Sequence, residues 1–333
     1  MKTEIIEWKD IERAAKYIRE GELVVFPTET VYGIGANAYR DDAVRMIFLV
    51  KKRPITNPLI VHVDSINKIR ELSEYIPSSA LRLMQKFTPG PITFILKSSG
   101  KISKFASGGL NSIAVRIPRE PIAIKLIKMS GVPIVAPSAN LSRRPSATNS
   151  TMAIRELNGL VKGIIKHDRF SNIGIESTVV DFDDKGNALI LRPGSITKEK
   201  IQEVLKEEFK VDYAIGSERI SASPGNLLEH YRPRIPVYLF KKQDNIRKYA
   251  EDKNTRILIM RDTLNLYWLN RFWDMENISV YNTLEEYAKN IYKEFVESER
   301  KYKKILAEFT HNNEIGYSIN NRLIKASLNK FIS

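Results

Sequence analysis

The chain has 333 residues, with 53 basic and 39 acidic side chains and a formal net charge of +14. That length suits two domains, and 43% hydrophobic with 9% aromatic residues suits a soluble protein with a full core. The absence of cysteine excludes disulfides, thiolate metal sites and a cysteine nucleophile, and no two of His62, His167, His230 and His311 have metal-ligand spacing.

The N-terminus has no apolar signal core and no stretch reaches the length of a membrane span, so a cytoplasmic location without a membrane partner is expected. Ile11, Ala14, Ala15 and Ile18 fall at helical spacing between Asp10, a suitable N-cap, and Gly21. Leu23-Val-Val-Phe26 reads as a buried strand running into Pro27. Further strands are expected at 59–63, 92–96, 113–117, 133–136, 177–182 and 188–191, with helices near 41–50, 65–75, 78–87, 120–130 and 197–209. This alternation predicts an α/β domain around a mixed, twisted sheet over 1–213. Residues 214–236, with Ser221-Ala-Ser-Pro-Gly-Asn226 and Tyr231-Arg-Pro-Arg-Ile-Pro236, lack periodicity and read as a linker. Strand-like 237–240 and 256–260, and a helical pattern through Leu284, Tyr287, Ala288, Ile291 and Phe295, predict a smaller α/β domain over 237–333.

Five polar clusters lie beside Pro or Gly next to apolar or helical runs. They are Pro27-Thr-Glu-Thr-Val-Tyr-Gly33, Lys51-Lys-Arg-Pro-Ile-Thr-Asn-Pro58, Ala136-Pro-Ser-Ala-Asn140, Gly174-Ile-Glu-Ser-Thr178 and Arg192-Pro-Gly194. Turns at strand ends are where an α/β scaffold presents chemistry, so five with overlapping chemistry point to one site and an enzyme. The +14 charge favours an anionic partner such as a nucleotide or RNA, although dispersed lysines also describe a solvated surface.

There is no Walker-type phosphate loop. Gly33-Ile-Gly35-Ala-Asn-Ala38 fits Gly-x-Gly-x-x-Ala, but six residues separate it from the preceding strand; a tight backbone path suits these glycines better than a dinucleotide loop. Lys51, Lys52 and Arg53 can bind polyphosphate or simply complement a helix C-terminus, and Asn57 between two prolines can read a base or sugar. Arg116 lies inside an apolar strand and needs a partner, either a carboxylate of the protein or one of a substrate. His62 in Leu59-Ile-Val-His-Val63 is either a satisfied core residue or a second group of the same pocket. Ser138, Asn140, Ser142, Ser146 and Thr148 form a hydroxyl- and amide-rich loop that can cradle phosphate or ribose, or serve plain turn chemistry. No Gly-x-Ser-x-Gly elbow is present.

In chain order, the motifs at 27–33, 52–62, 89–91 (Pro-Gly-Pro), 114–116 (Ala-Val-Arg), 136–140, 174–178 and 191–194 resemble the YrdC-type domain. Ser223-Pro-Gly225…His230-Tyr231 resembles the linker of its two-domain members, and the segment from Gly316 to Ser327 resembles the end of their Sua-type C-terminal domain. The resemblance implies a YrdC-like domain followed by a smaller Rossmann-like α/β domain, as in the L-threonylcarbamoyladenylate synthase family. It implies a reaction of L-threonine, bicarbonate or CO2 and ATP to threonylcarbamoyl-AMP and pyrophosphate, with Mg²⁺ expected. The product would pass to the machinery that modifies adenosine 37 of tRNAs, and weak tRNA contact is compatible with the charge. Position by position, the threonine pocket implies Thr30, His62, Arg116, Ala136 through its backbone, and Ser177. The ATP site implies Lys51, Arg53, Asn57, Ser112, Ser138, Ser146, Arg192 and His230. Of these, Lys51, Arg53 and Arg192 would stabilise phosphate, and His230 and Tyr231 would form a linker lid.

The chain departs from the family pattern at Thr88, at Arg143, at His167-Asp168-Arg169 and at Glu229. Two other readings compete: a double-stranded RNA or ribosome binder, and a carbamoyltransferase that forms a carbamoyl-adenylate. The latter class carries cysteine-rich modules that this chain lacks.

Overall fold

The computed structural model describes residues 2–167, 171–214, 230–266 and 275–332. The chain forms two compact units. One contains the described residues up to 214 except for two tripeptides, 143–145 and 173–175; the other contains those tripeptides and residues 230–332.

The N-terminal unit is built on strands β1 (Glu4–Glu7), β2 (Val24–Phe26), β3 (Gly33–Asn37), β4 (Ile60–His62), β5 (Ile92–Lys97), β6 (Ser112–Arg116), β7 (Ile134–Val135), β8 (Gly163–Lys166), β9 (Thr178–Phe182), β10 (Ala188–Arg192) and β11 (Val211–Tyr213). They form one mixed sheet in the order β1-β8-β2-β3-β7-β4-β6-β5-β9-β10-β11. Helices Ile11–Glu20 and Pro121–Ser130 cover part of it, burying Ile11, Ala14, Ala15, Ile18, Ile122 and Leu126 with Val24, Phe26 and Ile134. The first helix ends at Gly21, whose φ of 90° is the left-handed cap its position predicts. Each large aliphatic side chain so buried contributes about 1.5–3 kcal/mol.

The Gly33-Ile-Gly35 segment is a strand and not a phosphate loop. Its glycines make room: a Cβ on Gly35 would stand 2.8 Å from both the Phe26 ring and Ile134. Strands β1, β3, β8 and β11 and the helix Ser150–Leu157 were not expected from the sequence pattern. The four strands are short or glycine-containing, and pairing rather than propensity holds them.

In the C-terminal unit, strands β12 (Val237–Phe240), β13 (Thr255–Met260), β14 (Ile278–Tyr281) and β15 (Lys304–Glu308) form a parallel sheet in the order β12-β15-β13-β14. Its core joins Phe240, Ile257, Ile259, Leu264 and Leu306. Helices Leu284–Ser298 and Glu314–Ser327 complete an α/β unit. Of the expected linker, residues 215–229 lie outside the described residues, as do Glu229 and the Asp168-Arg169 departure. Residues 230–236 are grouped with the C-terminal unit, where the Pro236 carbonyl accepts from Ile305 N at 2.9 Å. The Arg143 departure has a left-handed φ of 71°, a conformation that glycine adopts at lower cost.

Candidate active site

Five adjacent strands of the large sheet, β4, β6, β5, β9 and β10, carry a row of polar side chains. Parallel pairing sets His62 level with Arg116. The register of β5 with β6 sets Thr93 level with Arg116. Ser177, just before β9 and two residues ahead of Val179, the β9 partner of Thr93, lies diagonally across from it, and the two hydroxyl oxygens are 2.8 Å apart. Arg192, at the end of β10, donates through Nε to the Ser177 carbonyl and through Nη2 to Ser177 Oγ, both at 3.1 Å. Two residues along each strand, on the same face, Ile60, Ala114, Ile95 and Val179 form an apolar cluster that backs the row.

The 27–33 cluster supplies the other wall. Thr30 Oγ1 accepts from Arg116 Nη1 at 3.0 Å and lies 2.8 Å from Thr28 Oγ1. Glu29 Oε1 lies 2.7 Å from Arg116 Nη2. Arg116 Nε donates to the Gly90 carbonyl at 3.2 Å. A Cβ on Gly90 would stand 2.2 Å from the Phe87 carbonyl oxygen, so this turn requires glycine. Of the two partners open to Arg116, the structure supplies a protein carboxylate, that of Glu29. The Glu29–Arg116 contact is close but poorly aligned: neither Glu29 oxygen nor Arg116 Nη2 has a hydrogen bond of good geometry. His62 packs edge-on to Phe26, and its buried Nδ1 has no hydrogen-bond partner. Burial, and secondarily the Arg116 charge, lower its pKa to about 3, so the imidazole is neutral at pH 7.

The three consecutive cations at 51–53 do not act as one patch. Lys51 is only 1% exposed and donates to the carbonyls of Ser138 and Asn140. Burial first, and then Arg53, push its pKa well below the usual lysine range. Lys52 is exposed and takes the left-handed position that ends the helix Asp41–Lys51. Arg53 folds onto its own turn, with Nη2 2.5 Å from Asn57 Oδ1 and 2.9 Å from the Pro58 carbonyl. Ser138 bridges to Gly33, and Ala136 N donates to the Ile60 carbonyl at 2.8 Å, which fixes the loop after β7 against the sheet. Ser146 Oγ donates to Glu176 Oε1 at 2.6 Å.

Not every expected residue joins the row. Ser112 opens β6 opposite Lys97, at the far end of the strand from Arg116. His230 and Tyr231 belong to the C-terminal unit. Their rings meet edge to face at 3.9 Å, and Tyr231 stacks on Tyr292 at 5.1 Å beneath Arg322. Conversely, the sequence reading assigned no role to Glu29, Thr93 or Glu176. Thr93 carried a usable signal, since it is the one polar residue in Ile92-Thr-Phe-Ile-Leu96, as His62 and Arg116 are in their strands. Nothing local marks Glu29, because its partner is remote in sequence.

Among the described residues, no group of three His, Asp or Glu is placed to hold a metal ion. The buried carboxylates Glu29 and Glu176 face Arg116 and Ser146. These residues do not fit a resident metal.

A mixed sheet with buried cations and hydroxyls at its strand ends, joined to a small parallel α/β unit, defines a two-domain protein of the YrdC type. A family model for Sua5, YciO and YrdC proteins, described as telomere recombination, matches residues 16–194. A second, described as the C-terminal domain of threonylcarbamoyl-AMP synthase, matches residues 196–327. The chain is 37% identical over 327 residues to threonylcarbamoyl-AMP synthase of Pyrococcus abyssi, covering 97% of this chain and 95% of the relative. It is 36% identical over 333 residues to that of Bacillus subtilis, covering 95% and 92%. The solved structure of P. abyssi Sua5 complexed with L-threonine matches with a TM-score of 0.86 at 34% identity, covering 100% of this chain and 99% of that one. The chain belongs to the threonylcarbamoyl-AMP synthase family.

Proposed function

We propose that this enzyme joins L-threonine, bicarbonate or CO2 and ATP into threonylcarbamoyl-AMP and pyrophosphate. The polar row from His62 to Arg192 carries the reading, because its two guanidiniums, neutral imidazole and two hydroxyls, with Thr30 beside Arg116, suit the groups of an amino acid. The threonine bound in the P. abyssi structure supports the same choice of substrate.

In this reading Arg116 takes the threonine carboxylate, and Thr30, His62, Ser177 and the Ala136 backbone orient the rest. Once the ammonium has given a proton to solvent, the amine adds to CO2: the N–C bond forms, one C–O π pair moves onto oxygen, and the nitrogen passes a second proton to solvent. A carbamate oxygen then attacks the α-phosphorus in line while pyrophosphate leaves. No protein nucleophile is needed, so the enzyme works by positioning and by spreading positive charge along the phosphates. Arg53, Arg192, Asn57, Ser112, Ser138 and Ser146 are assigned to the nucleotide, with His230 and Tyr231 as the lid. Lys51 acts mainly through the Ser138–Asn140 loop that it holds, and bound phosphate would favour its charged form, whose third N–H it could then accept. Mg²⁺ enters as the counter-ion of ATP, and no protein ligand is assigned to it. We place the reaction in the cytoplasm and its product with the tRNA-modifying machinery, with at most weak tRNA contact.

The test is pyrophosphate release from ATP with threonine and bicarbonate omitted in turn. Release that requires both is expected. Release without threonine would favour carbamoyl transfer, and none in any mixture would sink the reading.

A further inference from the structure

We infer that Glu29 is the ammonium subsite for L-threonine, the anionic half of a zwitterion site whose cationic half is Arg116. The inference rests on the synthase reading above and adds a substrate contact for a residue that reading leaves unused.

Glu29 is 4% exposed and Arg116 is 3% exposed. Removing such charges from water costs several kcal/mol each, which only close contact together with well-made hydrogen bonds offsets. Their 2.7 Å approach supplies the Coulombic part alone. Both Glu29 oxygens and Arg116 Nη2 lack aligned hydrogen bonds, while Arg116 spends Nη1 on Thr30 and Nε on Gly90. One place in the interior therefore keeps unmet accepting capacity on an anion beside unmet donating capacity on a cation. An α-amino acid carries the complementary pair, a donor ammonium and an acceptor carboxylate, on a single carbon. Inserted here it adds no net charge, and each ion meets its opposite. The adjacent His62 is neutral and adds no third charge. Nearby hydroxyls of Thr28 and Thr30 suit the substrate's polar side chain.

The test compares two ligands on the full-length protein by titration calorimetry: L-threonine, and 3-hydroxybutyrate, which is threonine without its amine. ATP binding serves as the control for folding. Glu29→Gln should weaken threonine binding by about 10- to 100-fold, the range for a hydrogen bond to a charged group. It should leave ATP affinity unchanged and leave 3-hydroxybutyrate unchanged or tighter, so that the preference for the amine collapses. Equal loss of both ligands would make Glu29 a mere support for Arg116 and overturn the inference, as would unchanged threonine binding. If the variant does not fold, the unsubstituted protein still decides: it must prefer threonine over 3-hydroxybutyrate by about tenfold or more, and equal affinity overturns the inference. An unsubstituted protein that binds ATP but not threonine would instead overturn the synthase reading, and this inference with it.

Discussion

In the C-terminal unit Glu308 is 4% exposed, yet Met260 N donates to one of its oxygens at 2.7 Å and Thr263 Oγ1 to the other at 2.5 Å. Glu29 in the N-terminal unit is equally buried, and neither of its oxygens has an aligned donor. The contrast extends to the arginines. Arg256 reaches Glu294 through Nε and Nη2 at 3.0 and 2.8 Å, with Ser279 closing the network on the other carboxylate oxygen at 2.8 Å. Arg116 touches its carboxylate off axis. The two glutamates are equally exposed at 4%, so between them the difference lies in hydrogen bonding. A fully bonded buried charge holds structure together, whereas an under-bonded one needs a further explanation, which for Glu29 is the ligand contact inferred above.

Breaking each kind of pair sharpens that distinction. The largest effect is expected from Arg116→Ala, which should reduce threonine-dependent pyrophosphate release by at least about 100-fold while ATP binding survives, as for the loss of a buried charged contact. Equal loss of ATP binding, measured by calorimetry, would argue against separate substrate and nucleotide roles. Arg256→Met breaks a pair that is only 15% and 12% exposed. It should lower unfolding stability by about 3 kcal/mol and leave the KM for threonine unchanged; a raised KM would blur the contrast between the units.

His62 gives a smaller, pH-dependent effect. Its folded pKa of about 3 lies below the unfolded value near 6.5, so the unfolded chain binds the extra proton between them. Stability is therefore fully present above pH 6.5 and declines as pH falls toward 3, by about 2 kcal/mol at pH 5. His62→Asn should remove that slope from urea midpoints taken between pH 7 and 5, and an unchanged slope would assign it elsewhere. Smallest is Lys68→Ala: it removes a well-exposed partner of Glu71, and no change in thermal midpoint is expected.

Much of the scaffold was legible in the sequence. The helix Ile11–Glu20 follows from its apolar spacing and Gly21, and β5 and β6 follow from apolar runs bounded by turn residues. By contrast, β3 contains two glycines and becomes a strand because Phe26 and Ile134 pack over Gly35. Strand β15 is buried by its partners β12 and β13 rather than marked by alternation. At the site, His62 and Arg116 stood out as ionisable residues inside apolar strands. Lys51 did not stand apart from Lys52 and Arg53, since only the folded helix end turns one inward and another outward.

The sequence by itself determined the chemical kinds available and the local periodicity: an α/β chain without thiols, with basic and hydroxyl groups beside Gly and Pro turns. Only the tertiary structure decided that residues 62, 93, 116, 177 and 192 stand in one row and that Glu29 faces Arg116. The reason is physical. Side-chain alternation is a property of each strand alone, whereas register between strands is set by how the whole sheet packs.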